Sequence, residues 1–287
     1  MVPLVLFAVC LLRAGSLVNS APFQIGLFDW DENLINMPTR LHYELDGTPI
    51  SLNITELNKL RGRLEREGTP DRLKPPAHDE MRYVEFRDPP IADKVYFLEQ
   101  LEWALAHKSY GPDFNTFKEY VLQARPCALV TARGHNASTL RASVRLLMAK
   151  GLTTSERVAV ADVLTARYSC DAMHPDRCLE SYLDEWGFYA VNGPEFRSEF
   201  GAEDPGKEGT ALSKTKAIRN FVERHLAKLA DVSQEVEFRF SDDEPVNARS
   251  MRSFFVQLQE EFRGKFPRIR FEVVETSLST EGGREEL

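Results

Sequence analysis

Long apolar runs are almost missing from this chain of 287 residues. The longest, Leu4–Leu12 (LVLFAVCLL), is too short for a stable transmembrane anchor. Basic residues are in deficit: 36 Lys and Arg face 44 Asp and Glu, for a net charge of −8. That balance argues against nucleic acid or an anionic membrane surface as a bulk partner, and leaves room for a small anion in a local cationic pocket. Internal repeats and low-complexity tracts are absent. Cysteine is sparse, with four in all. Cys10 sits in the apolar N-terminal run, and Cys127 lies in an apolar strand as an inert core thiol. Cys170 and Cys178 flank Asp171–Arg177, where a local disulfide is expected in an oxidising compartment. Zinc held with His174 is the lesser expectation, because only three ligands are visible at a spacing foreign to fingers and ribbons.

The two ends carry addressing features. Residues 1–20 resemble a secretory signal peptide: the apolar run is followed by small and polar residues, with Val18 and Ser20 suited to a cleavage site. Against this, no Lys or Arg precedes the run, and Arg13 follows it. Residues 277–287 read as a flexible tail closing in Arg284-Glu-Glu-Leu287, which resembles the Lys-Asp-Glu-Leu signals bound by a retrieval receptor. The expected location is the endoplasmic reticulum lumen, with no stable membrane insertion after signal cleavage. Secretion is one alternative; a cytoplasmic location, if the N-terminus is not a signal, is the other. Of two glycosylation sequons, Asn53-Ile-Thr55 is the better candidate than Asn136-Ala-Ser138.

Between the ends, apolar runs alternate with helical patterns. Ile25–Phe28 reads as a buried strand. Leu41–Leu45 and Pro49–Leu52 read as a hairpin around Asp46-Gly47, and Thr55 as the cap of a helix to about Glu67. Tyr83–Phe86 reads as a short strand, then helices span about Ile91–His107 and Phe114–Ala124. Strand Cys127–Val130 leads through Thr131-Ala-Arg-Gly-His135 into a helix to about Lys150, with His135 a polar residue at its start. Helix Ser213–Leu229, strand Val236–Phe240, helix Pro245–Arg263 and strand Ile269–Val273 complete the pattern. Strands separated by helices imply an α/β fold with a mainly parallel sheet covered on both faces, its ligands at the carboxyl ends of the strands.

Those ends carry chemistry. Asp29 and Asp31 follow the first strand, and such close like charges suit a site that uses a cation or phosphate. Thr131 ends another strand where a helix N-terminus would offer free N–H groups to an anion. Lys214 and Lys216 open a helix against its dipole, which favours pairing with an anion. Asp242 and Asp243 form a second acidic pair at a strand end.

In this order the four stretches resemble the motifs of the haloacid dehalogenase superfamily. These are D-x-D (Asp29-Trp-Asp31), a strand-end Thr (Leu129-Val-Thr131), a helix-borne Lys, and an acidic pair (Asp242-Asp243). The resemblance spans residues 25–247. It implies a Rossmann-like three-layer sandwich, with a core over 21–276 and cap-type insertions at about 38–115 and 151–210. It also implies a Mg²⁺-dependent phosphatase acting on a small phosphorylated substrate. Asp29 would be the nucleophile and a metal ligand; Asp31 the general acid and base, and a ligand through its carbonyl. Thr131 and Lys214 would bind phosphate, Asp242 would hold the metal, and Asp243 would bind it or orient the lysine. Lys214 fits the pattern better than Lys216, since Ala217 and Ile218 follow at the expected places. Arg133 is a possible substrate contact. The family often has Gly and then Thr or Val after D-x-D; here Glu32 and Asn33 stand instead, and Asn33 can supply the same turn hydrogen bond. The alternatives are a catalytically silent binding protein of the same type and a phosphotransferase using the same intermediate.

Overall fold

Alternation of apolar side chains along the strands generates the architecture. The computed structural model describes residues 22–89, 96–170, 175–201, 207–229 and 235–277. The expected signal segment, His174 and Arg284–Leu287 lie outside the described residues. In chain order the elements are β1 (Phe23–Phe28), β2 (Leu41–Leu45), β3 (Thr48–Leu52), α1 (Ile54–Arg66), β4 (Leu73–Lys74), α2 (Asp79–Arg82), α3 (Tyr96–Ala106), α4 (Phe114–Leu122) and β5 (Cys127–Thr131). Then follow α5 (Ala137–Lys150), α6 (Thr154–Tyr168), α7 (Pro175–Asp184), β6 (Gly187–Ala190), α8 (Pro194–Phe200), α9 (Lys207–Leu226), β7 (Val236–Asp242), α10 (Pro245–Arg263) and β8 (Ile269–Glu275).

Five strands form one sheet in the order β6-β5-β1-β7-β8, and every neighbouring pair is parallel. Phe28, Cys127 and Leu129 point into a core shared with Phe97, Phe117, Val144 and Leu183. Ile25, Leu27, Ala128 and Val130 point the opposite way, into a core shared with Ile218, Phe221 and Phe255. Period-two alternation therefore loads both faces, with α3–α7 on one side and α8–α10 on the other. The result is the expected Rossmann-like three-layer α/β sandwich. From β1 the chain moves outward through β5 and β6, then returns to the other flank as β7 and β8. The order reverses between β1 and β7, the place in such sheets where ligands commonly bind, outside the carboxyl ends of the strands.

The stretch 38–115 carries a separate antiparallel sheet, β3-β2-β4, over a small core of Leu41, Tyr43 and Leu57. Its hairpin turns where expected, with Asp46 and Gly47 at φ 54° and 77°. The stretch 151–210 supplies the edge strand β6 to the main sheet, along with α6, α7 and α8. Cys170 and Cys178 stand at disulfide distance, their Cα atoms 5.8 Å apart. Among the described residues no helix is long and apolar enough to cross a membrane.

Three local expectations are corrected. Tyr83–Phe86 is not a strand: a single 3₁₀ turn runs Val84–Phe86. Tyr83 and Phe86, three residues apart, eclipse on such a turn and pack edge to face at 6.2 Å. The cap of α1 is Asn53 rather than Thr55, with a reciprocal capping box to Glu56. Finally, α9 starts at Lys207, not Ser213. Lys214 thus lies about two turns inside the helix, not in its first turn. It shares the buried stripe of Ala217, Ile218, Phe221 and Val222, so helical periodicity aims it at the sheet.

Candidate active site

The carboxyl ends of β1 and β7 are adjacent strands in register, with Phe28 opposite Ser241. The residues that follow, Asp29 and Asp242, are therefore neighbours. Lys214 reaches them from α9: its Nζ donates to Asp29 Oδ1 at 2.7 Å and to Asp242 Oδ2 at 2.6 Å. All three are buried, Asp242 fully. The other Asp242 oxygen accepts from the Glu244 N–H at 2.9 Å and from Asn247 Nδ2 at 3.1 Å. Asp243 completes the group: one oxygen each from Asp29, Asp242 and Asp243 lie within 4.8 Å of one another. Lys216 is turned elsewhere and donates to the Phe200 carbonyl.

Asn33 ties the two strand ends together. Its Nδ2 lies within hydrogen-bond distance of the Asp29 carbonyl and of the Ser241 carbonyl and hydroxyl, at 3.0–3.2 Å. Its Oδ1 accepts from Thr276 Oγ1 at 2.8 Å. The Asn33 carbonyl approaches so near Gly111 that a Cβ there would sit 2.4 Å from it, hence the glycine. Glu32, where the resembling family often has Gly, takes φ 57°, at a cost of about 1–2 kcal/mol for a residue with a Cβ.

Asp31 faces the other way. Arg133 Nε and Nη2 form a forked ion pair with its carboxylate at 2.6–3.1 Å. Arg133 is fully buried, while the Asp31 side chain is 29% exposed. The guanidinium carbon lies 4.8 Å from the Phe86 ring centre and 4.7 Å from that of Phe97. Nη2 also donates to Thr39 Oγ1 at 2.7 Å; Nη1 has no hydrogen-bond partner among the described residues. The Arg133 N–H donates to Thr131 Oγ1 at 3.3 Å, which links the strand-end hydroxyl to this pair. Asp31 is outside the three-carboxylate group, and its carbonyl, expected as a metal ligand, accepts the Asn33 N–H at 2.6 Å.

At the start of the helix after Thr131, two N–H groups are taken by carboxylates. The helix begins only at Ala137, and the Asn136 and Ala137 N–H groups donate to Asp88 and Glu195 at 2.6 and 3.0 Å. His135 precedes it as a buried ring packed 4.6 Å from Phe97. Burial, helped by the Arg133 charge, pushes its pKa down to about 2, so the ring is neutral.

Electrostatics mark the Asp29 side as the charged centre. Burial raises the Asp29 pKa well above the carboxylate range; Lys214 opposes this, and Asp242, Asp243 and Asp31 add to it. Burial also raises Asp243, to about 7, with Asp242 contributing. Burial alone would lower Lys214, yet Asp242 and Asp29 outweigh it and hold the ammonium above its ordinary value. Three carboxylates around one ammonium leave two negative charges uncompensated when all are ionised. Hard oxygen donors in that number fit a divalent cation such as Mg²⁺.

Asn247, Thr39, Phe86 and Phe97 carry site geometry that sequence reasoning missed. Asn247, in the first turn after the second acidic pair, had a local signal. The other three had none, since their contacts to Arg133 close over long sequence separations. No protein-family model, curated protein or solved structure matches this chain.

Proposed function

We propose that the protein is a Mg²⁺-dependent phosphomonoester hydrolase of the haloacid dehalogenase type, acting through an aspartyl phosphate on Asp29. One observation carries the reading: Lys214 bridges Asp29 and Asp242 beside Asp243, at the carboxyl ends of adjacent strands where the sheet order reverses. Two acids and a lysine converging from three distant stretches onto a buried point are costly unless their charges are used.

Asp29, Asp242 and Asp243 would hold the cation. When bound, Mg²⁺ would neutralise charge on the phosphoryl oxygens. An Asp29 oxygen attacks phosphorus as the ester P–O bond breaks, and Asp31, having taken up a proton beforehand, gives it to the departing oxygen. Asp31 then takes a proton from water, which attacks the same phosphorus; the Asp29–phosphorus bond breaks, releasing phosphate and restoring both side chains. Lys214 holds Asp29 and Asp242 apart and in place, and Thr131 offers its hydroxyl to a phosphoryl oxygen.

The test is phosphate release from aryl and alkyl phosphates, expected to need Mg²⁺, to stop with EDTA, and to vanish in Asp29→Asn. Release that persists in Asp29→Asn rules the nucleophile out. A second reading, a silent binding protein, is favoured by one observation: Arg133 occupies the Asp31 carboxylate. It is supported if Mg²⁺ and inorganic phosphate bind without turnover of any ester. Placement in the secretory lumen is proposed on the terminal segments, and fails if the N-terminus is uncleaved and deleting Arg284–Leu287 leaves the distribution unchanged.

A further inference from the structure

The guanidinium of Arg133 is buried against two aromatic rings, and its fork grips Asp31. A buried cation of this kind is costly unless it is paired with good geometry. Here the fork meets the Asp31 carboxylate through Nε and Nη2, and both rings lie within cation–π reach. Two parallel N–H···O contacts fix the plane and direction of a carboxylate, which a point-like ammonium cannot do.

What fixes Arg133 itself belongs to the stretch 38–115. Thr39 accepts from Nη2 at 2.7 Å and donates to Gln100 Oε1 at 2.7 Å. Gln100 Nε2 in turn donates to Glu85 at 2.7 Å, and Glu85 also accepts the Arg40 N–H at 2.9 Å. Phe86 and Phe97 supply the rings, and the Phe86 carbonyl accepts the Gly134 N–H at 2.9 Å, next to Arg133 in sequence. A continuous chain of contacts thus joins α3 and the residues leading into β2 to Asp31. The side-chain hydrogen bonds of Gln100 and Glu85 run to Thr39, to Arg40 and to each other, and none of these reaches Lys214 or its acids.

We propose that Arg133 is the positioning residue of Asp31, and that the stretch 38–115 sets Arg133 through Thr39, Phe86 and Phe97. This first insertion is then the segment wired to catalysis. Arg133 acts through Asp31 and holds it where the leaving oxygen arrives. The inference rests on the phosphatase reading, since a positioned acid–base group matters only if a reaction uses it.

The experiment compares the full-length wild-type protein with Arg133→Lys, which keeps the charge and loses the fork, and with Thr39→Val, which keeps Arg133 and loses one of its restraints. Hydrolysis of an aryl phosphate is measured with saturating Mg²⁺, and the ¹³C resonance of the Asp31 carboxylate is recorded in each protein. Arg133→Lys should lower kcat by about 10–100-fold, the same scale as losing the orienting partner of a metal ligand, with KM little changed and the Asp31 resonance moved. Thr39→Val should move the same quantities less. Arg133→Lys with wild-type kcat and an unmoved Asp31 resonance overturns the inference and leaves the phosphatase reading standing. A loss confined to melting temperature also overturns it, because a purely structural arginine would behave so. Wild-type protein inactive toward every ester tested overturns the phosphatase reading, and the inference with it.

Discussion

Asp29 and Asp31 are two residues apart, yet they belong to different halves of the site. Asp29 sits on the β7 side, buried, bonded to a lysine and crowded by Asp242 and Asp243. Asp31 sits on the β5 side, part-exposed and gripped by an arginine stacked on aromatic rings. The lysine half has more negative than positive charge and suits a cation. The arginine half is an ion pair of one acid with one base, and needs none. Strand alternation explains the division: side chains two apart at a strand end share a face only while the strand continues. Here β1 ends at Phe28, before either residue.

Four experiments sharpen or break that comparison. The largest effect is on turnover. Asp29→Asn should cost at least about 10⁴-fold in rate, the scale of losing a nucleophile, while Asp31→Asn should cost about 10²–10⁴-fold, the range for general acid–base catalysis. Equal loss in the two, measured as phosphate release, would remove the division of labour.

Stability comes next. Lys214→Met leaves Asp29 and Asp242 buried without their cation, and should cost about 3–5 kcal/mol by urea denaturation in EDTA. Added Mg²⁺ should restore part of this. Arg133→Met should cost less, because Asp31 can turn to water. A reversed order would mean that the arginine half is the more strained one.

The third effect is acid sensitivity. His135 has a folded pKa of about 2 against 6.5 for the free side chain. Below pH 6.5 the unfolded chain takes up a proton that the folded ring refuses, so this stability is intact above pH 6.5 and is lost as pH falls toward 2. Between pH 6.5 and 4.5 the loss should approach about 2–3 kcal/mol, and His135→Phe should flatten the profile. A urea midpoint with the same pH slope in both proteins would rule out His135 as the source.

The smallest effect separates the lysine half by its protons. Asp243 has a folded pKa of about 7 against 3.8. Its contribution to metal-free stability is therefore full below about pH 4 and is lost as pH rises through 7. A cation competes with that proton, so Mg²⁺ should raise the melting temperature more at pH 8 than at pH 6. An equal shift at both values would mean that the cation is held elsewhere.

Much of the fold was legible because it rests on local patterns. Apolar runs of strand length, alternating with helical stripes, indicated a parallel sheet with helices on both faces, and their carboxyl ends marked Asp29, Thr131 and Asp242. The residues that follow, Ala217 and Ile218, distinguish Lys214 from Lys216, and they lie on its buried stripe. The polar sequence also places Lys214 at a helix start, whereas it lies about two turns inside α9. Helix starts are hard to read when the first turns are polar, as Lys207-Glu-Gly-Thr210 are. At the start of the helix after Thr131, Asp88 and Glu195 take two of the N–H groups, and no local pattern places those two carboxylates there.

By itself the sequence determined which faces the side chains of strands and helices take, since periodicities of two and 3.6 dictate them. Only the tertiary structure decided whom each charge meets. Lys214 spans two acids, Arg133 takes Asp31, and Thr39 and Phe97 hold Arg133. Those pairings join segments tens to hundreds of residues apart. They follow from how the layers pack, which no local pattern records.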